Sequence, residues 1–303
     1  MSNFLKASTY LTCLMLIYGT VVGSALAQRH VVPTSSNSTW HESTSSMNSA
    51  SSTQPKLKLS ESDAEAIGHA IWRNECGERM DGLTSWNVGE GFPSLGIGHF
   101  IWYRESAPER FEESFPKLVA FLQVSGIKLP SWLTPDSHCP WNSREEFLRD
   151  LNGKKLSELR TLLASTVPEQ TRFIVARLEA ALPAVLEKAA PNERSVLQRR
   201  FYRLLSSGRA GTFALIDYVN FKGEGTNEKE RYNGSGWGLL QVLEGMSDSA
   251  DPVQQFSQSA SIVLARRVSN APPERHEERW LPGWKRRVFN YPNFSAATTK
   301  SKY

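Results

Sequence analysis

Between Thr34 and Thr53, thirteen of twenty residues are Ser or Thr. A stretch so poor in apolar side chains cannot bury enough surface to offset the entropy of ordering it. It reads as part of a disordered linker over residues 28–58, which moves the start of folded structure to near Leu59. Of 303 residues, about 230–245 then remain to fold, enough for one sizeable core. Their composition suits that. Hydrophobic residues make up 40% and charged residues 22% of the chain, which argues against a wholly disordered, collagen-like or multi-pass membrane protein. A net charge of +4 is too small to imply a nucleic-acid partner and allows only weak attraction to anionic envelope polymers.

Residues 1–27 read as a secretory signal peptide. Lys6 gives a short positive start, residues 11–18 an apolar middle, and Ala25-Leu26-Ala27 a small-residue cleavage site. The chain is therefore expected to be exported, periplasmic or secreted, and to meet a membrane only if this segment stays uncleaved. Cleavage removes Cys13 and leaves Cys76 and Cys139 as a candidate disulfide in a compartment where disulfides persist. Spacing alone cannot show that their Cα atoms come close enough, and two free thiols are the alternative. No Cys or His spacing matches a metal site, so neither a metal nor another cofactor is expected.

Beyond Leu59 the pattern is mainly helical. Ser62 is expected to cap a first helix, with Ala64, Ile67, Ala70 and Ile71 along its inner face and Gly77 as its stop. Residues 82–103, rich in Gly, Ser, Thr and aromatics, read as a loop with short strands. Further helices are expected over 109–125, 143–151, 155–165, 169–189, 192–206, 210–220, 237–245, 251–269 and 276–289. Pro183 should kink or split the fourth of these. The stretch from about 116 to 191 reads as a helical insertion packing as a second lobe, and residues 293–303 as a flexible tail. The fold class is mainly α (α+β), with a small β-hairpin element after the first core helix.

One segment carries chemistry. Glu75 ends the first helix against a loop running from Gly82 through Trp86, Asn87, Glu90 and Ser94 to His99. A carboxyl on a rigid helix end can be partly desolvated, which suits a general acid, while Glu90 in the loop should be better solvated. Two carboxyls in unlike environments are what glycosidic cleavage uses. Nine Trp add flat faces of the kind that sugars stack on, although most Trp residues serve packing.

The run Ser94-Leu95-Gly96-Ile97-Gly98-His99, following a helix-end Glu and a glycine-containing hairpin, resembles the active-site segment of phage-type lysozymes. The resemblance implies a two-lobed lysozyme-like domain over residues 59–292 and Glu75 as the catalytic acid. It places Ser94 where the family has the Thr that positions the attacking water, and His99 at the terminal His of the strand. Where the family has its hairpin Asp, this chain has Val88, or Asn87 after a one-residue insertion.

Downstream, Asn220 and Glu224 precede Tyr232-Asn233-Gly234-Ser235-Gly236-Trp237-Gly238-Leu239-Leu240-Gln241. The Gly-Trp-Gly-Leu-Leu-Gln run is similar to the motif that follows the catalytic Glu of lytic transglycosylases. Tyr232 and Trp237 offer flat faces, and Asn220 and Gln241 can both donate and accept hydrogen bonds. The expected partner is peptidoglycan. The leading expectation is a glycosidase cleaving between N-acetylmuramic acid and N-acetylglucosamine with Glu75 as acid. Alternatives are a lytic transglycosylase with Glu224 as acid and a non-catalytic wall-binding protein.

Overall fold

The computed structural model describes residues 59–105, 107, 112–248 and 251–296. The signal-peptide and linker readings, residues 1–58, lie outside them. The described residues belong to one unit.

Helix α1 (Glu61–Cys76) starts at Ser60, whose Oγ accepts the Asp63 N–H at 3.1 Å. The cap is thus Ser60 rather than Ser62, because the chain is already helical at Glu61. Removing that bond exposes a helix-end donor, so Ser60→Ala should cost about 1 kcal/mol in denaturant unfolding. At the other end Gly77 takes the left-handed conformation and returns its N–H to Arg73. Ala64, Ile67, Ala70 and Ile71 are buried along one face. That face meets α5 (Val167–Glu187) at Gly68, where an added Cβ would lie 2.4 Å from a Val167 methyl. Only glycine lets the two helices approach so closely.

Three short strands follow, β1 (Thr84–Ser85), β2 (Ser94–Leu95) and β3 (Phe100–Ile101), antiparallel in the order β1-β2-β3. The α-helices that follow are α2 (Phe115–Val124), α3 (Arg144–Arg149), α4 (Lys154–Ser165), then α5, α6 (Arg194–Leu205), α7 (Gly208–Lys222), α8 (Leu239–Gly245), α9 (Pro252–Asn270) and α10 (Leu281–Phe289). The mainly α architecture with a small sheet is as the sequence implies.

Several boundaries differ from expectation. Helix α5 runs through Pro183 unbroken, because the proline sits near its end and buried Leu182, Val185 and Leu186 hold the last turns to the core. Residues 112–114 are not helical, and 3-10 turns at Pro273–Arg275 and Glu277–Arg279 replace the expected start of the last helix. The stretch read as a second lobe contains α5, which lies along α1 and shares its apolar cluster. Residues 293–296, expected in the flexible tail, close a 3-10 turn (Tyr291–Ala296). Its Phe294 stacks on Phe213 at 4.1 Å between ring centroids.

Helix α7 is the centre of the molecule, in contact with α1, α5, α6, α8, α9 and the C-terminal turn. Every residue from Ala210 to Tyr218 is buried, the pattern of a helix enclosed on all sides. Asp217 is the single acid in that run. Among the described residues no helix is long and apolar enough to cross a membrane.

Candidate active site

The last full turn of α1 delivers Asn74 and Glu75 over this buried acid. Asp217, 1% exposed at its side chain, accepts four hydrogen bonds from three residues. Arg287 of α10 grips it with both arms of its fork, Nε to Oδ2 and Nη2 to Oδ1, each at 2.7 Å. The Tyr291 hydroxyl donates to Oδ2 at 2.7 Å, and Asn74 Nδ2 donates to Oδ1 at 3.0 Å. A buried carboxylate needs such company, since an isolated one would cost several kcal/mol. Burial by itself would push the Arg287 guanidinium down. The hydrogen bonds and charge of Asp217, with Tyr291 and Glu75 adding, outweigh that and hold it above its usual value. Burial, reinforced by the neighbouring Asp217 charge, pushes the Tyr291 phenol well up, so it stays a donor.

The same Arg287 Nη2 reaches upward to Glu75 Oε1 at 3.2 Å. On the other oxygen, Oε2, His99 Nδ1 stands at 3.8 Å. Glu75 is 21% exposed at its side chain, so it opens to solvent while held from two sides. His99 gets there by an unusual backbone, with φ 48, a left-handed conformation that costs a non-glycine residue free energy. The turn before it is pinned to α5: the Ile97 N–H donates to buried Gln170 Oε1 at 3.0 Å. Gly96 (φ 68) permits this, since a Cβ there would fall 2.3 Å from that same oxygen. The glycines of the Gly96-Ile97-Gly98-His99 run thus place an imidazole beside Glu75.

The Arg287 guanidinium also lies over the Phe221 ring, 4.5 Å from its centroid. Phe221 is one turn beyond Asp217 on the same side of α7, and Glu224 follows three residues later. Glu224 is half-buried; its carbonyl accepts the Leu240 N–H at 3.0 Å, and its side chain makes no hydrogen bond or ion pair among the described residues. Burial raises its carboxyl above the usual range; Arg177 opposes this and Glu112 adds to it. No buried polar side-chain atom among the described residues lacks a partner, so the Glu224 oxygens reach solvent.

The other expected site residues are placed differently. Trp86 is only 6% exposed; its indole N–H donates to the Glu90 carbonyl at 2.8 Å, and its ring meets Phe147 edge-on. It is core packing rather than a sugar platform. Asn87 donates to Glu90 Oε2 at 3.2 Å, and Arg144 holds the Trp86 carbonyl at 2.8 Å. Glu90 therefore belongs to a self-bonded hairpin end, with no bond to Glu75. Ser94 is buried in β2. Trp237, 7% exposed, is covered by the Arg267 guanidinium at 4.1 Å, so it too is packing. Gln241 is a clamp: Oε1 accepts the Gly238 N–H at 3.0 Å and Nε2 donates to the Gly225 carbonyl at 3.1 Å. Both bonds shape the loop that carries Glu224 and leave Gln241 buried rather than facing substrate. Asn220 is exposed.

Tyr232 donates its hydroxyl to Glu277 at 3.0 Å and is half-buried. Glu277 is fully buried and also accepts from Arg267 and Arg275. Burial would raise its carboxyl, but these donors hold it below the ordinary Glu range. Its stabilising effect is therefore complete above about pH 4.3, the unfolded value. It is lost as pH falls through the lower folded value. Glu277→Gln should flatten the acid side of a stability-against-pH curve.

The candidate disulfide is absent: Cys76 and Cys139 are free thiols. The Cys76 thiol faces its own helix, donating to the Trp72 carbonyl at 3.5 Å. Burial pushes the Cys139 thiol up to about 12. Among the described residues no group of His, Cys, Asp and Glu could hold a metal ion.

With the geometry in hand, the chain can be set beside known proteins. No family model, curated protein or solved structure matches it. The site must therefore be read on its own chemistry. It consists of a part-open carboxyl, Glu75, gripped by a guanidinium and flanked by an imidazole; Glu224, two residues past the end of α7, is a separate half-buried carboxyl whose charged neighbours are Arg177 and Glu112. Reading the sequence alone singled out Glu75, His99 and Glu224 as candidates. It missed the roles of Asp217, Arg287 and Tyr291, for which the one available signal was an acid inside an otherwise apolar helical run.

Proposed function

We propose that the chain is an exported glycosidase of lysozyme-like fold that cleaves peptidoglycan between N-acetylmuramic acid and N-acetylglucosamine. Glu75 is its general acid and protonates the glycosidic oxygen. The observation that carries this reading is the setting of Glu75: a rigid helix end, open to solvent, with Arg287 on one oxygen and His99 beside the other. Such a carboxyl is oriented before substrate arrives, and orientation is much of what a catalytic group needs. Export rests on the signal-peptide reading, and the sugar specificity on the resemblance of the Ser94–His99 segment. Developing positive charge on the sugar ring requires a negative partner, and we assign that part to Glu224, which follows α7 by two residues. The test is digestion of purified sacculi. Wild type should lower turbidity, and Glu75→Gln should not.

A second reading has its own support. Burial raises the Glu224 carboxyl above its usual range, a property of proton donors. In a lytic transglycosylase a single such Glu serves as acid and then base, while the substrate's own 6-hydroxyl attacks. Glu224→Gln abolishing activity while Glu75→Gln retained it would favour this reading.

A further inference from the structure

A general acid beside an arginine presents a physical problem. A guanidinium at 3.2 Å from a carboxyl favours the charged form of that carboxyl, and a charged carboxylate has no proton to give. The structure contains the means of relief. Arg287 Nη2 is shared, donating to Asp217 Oδ1 at 2.7 Å and to Glu75 Oε1 at 3.2 Å. The shorter bond, and a second one through Nε, go to the buried acid.

We infer that Asp217 is a positioning residue for Glu75: it anchors Arg287 and offsets its charge, so that the guanidinium orients the Glu75 carboxyl without pinning it as an anion. Only arginine suits this bridge, because a planar fork can hold one carboxylate with two donors and still share one of them. The fork is fixed on all sides. Asp217 sits in the core of α7, itself held by Asn74 and Tyr291, and the guanidinium face lies on Phe221. Among the described residues the charged and titratable groups facing Glu75 are few. They are His99 from the turn before β3, Arg287 from α10, and behind it Asp217 from α7 and Tyr291 from the C-terminal turn. Cys76 adjoins Glu75 on its own helix, with its thiol pushed up chiefly by burial.

The inference rests on the reading of Glu75 as the acid, and the test separates the two. Asp217→Asn keeps the size of the side chain and removes its charge. The guanidinium is then uncompensated beside Glu75, and the Glu75 anion is favoured. On soluble, uncross-linked glycan strands, the alkaline limb of the kcat/KM profile should move to lower pH by about one unit. Above that limb, kcat should fall by roughly tenfold. A role confined to stability would lower the melting temperature and leave the limb where wild type has it; that result overturns the inference. Should Asp217→Asn not fold, Arg287→Lys carries the test, since it keeps the buried pair charged but cannot bridge two carboxylates. Its kcat should fall by about tenfold or more with KM little changed, and a wild-type kcat overturns the inference. Glu75→Gln is assayed alongside. If it stays active, the acid reading fails and takes this inference with it. If it is inactive while Asp217→Asn keeps the wild-type limb, the inference alone fails.

Discussion

Arg287→Ala should cost about 3–5 kcal/mol of stability, the largest effect expected of any single substitution at the site. The reason is which partner is stranded. Asp217 is 1% exposed and cannot leave the core, so losing the guanidinium leaves a carboxylate with only Tyr291 and Asn74. Removing the acid instead is milder. Arg287 is 25% exposed at its side chain and still has Glu75 as a charged partner. Asp217→Ala should therefore cost nearer ~1–3 kcal/mol, mostly for the unmade bonds of Tyr291 and Asn74. The double variant should lose less than the two singles combined, because the second change removes a group already without its partner. Urea unfolding of the four proteins measures all of this. Equal losses for the two single variants, simply adding in the double, would mean that the pair does not behave as a buried charge pair.

Glu75→Gln should abolish glycan cleavage while leaving the fold intact. The amide keeps the shape of the acid and an oxygen that can accept from Arg287, so stability should change by no more than about 0.5 kcal/mol. It has no proton of suitable acidity to deliver, and proton donation contributes roughly 10²–10⁴ in rate. If another residue were the donor, the loss would be far smaller. The comparison with Glu224→Gln is informative because the two carboxyls differ in kind: Glu75 has Arg287 and His99 within 4 Å, and the Glu224 side chain makes no ion pair among the described residues. Chemistry that uses both should make each variant slow, with different pH profiles.

Much of the fold was legible because helices announce themselves locally. The apolar face of α1, the glycine stop at Gly77 and the aromatic loop with short strands all follow from periodicity and backbone preference. Boundaries were less legible where tertiary contacts overrule local preference. Pro183 does not break α5, since its neighbours are anchored in the core, and the C-terminal turn is held by Phe294 on Phe213. Tryptophans misled in one direction. Trp86 and Trp237 sit among polar residues and glycines, which reads as an open sugar face. The polar neighbours in fact serve the indoles: a carbonyl accepts from Trp86, and a guanidinium covers Trp237. The two cysteines gave no distance, and the structure keeps them apart as thiols. Least legible was the Asp217–Arg287–Tyr291 network. Its members are 70 and 74 residues apart from the acid they share, and no local pattern links them. Glu75, by contrast, stood out as a candidate because a helix end, a glycine-rich turn and a histidine occur within twenty-five residues.

The most direct measurement is the chemistry of the cut ends. Sacculi digested with the wild-type chain and reduced with borohydride should release muropeptides ending in reduced N-acetylmuramic acid, in amounts that vanish for Glu75→Gln. Muropeptides ending in 1,6-anhydro rings, formed equally by Glu75→Gln and lost only in Glu224→Gln, would contradict the assignment of Glu75 as the acid. Intact sacculi after prolonged digestion with the folded wild-type chain would contradict glycan cleavage altogether.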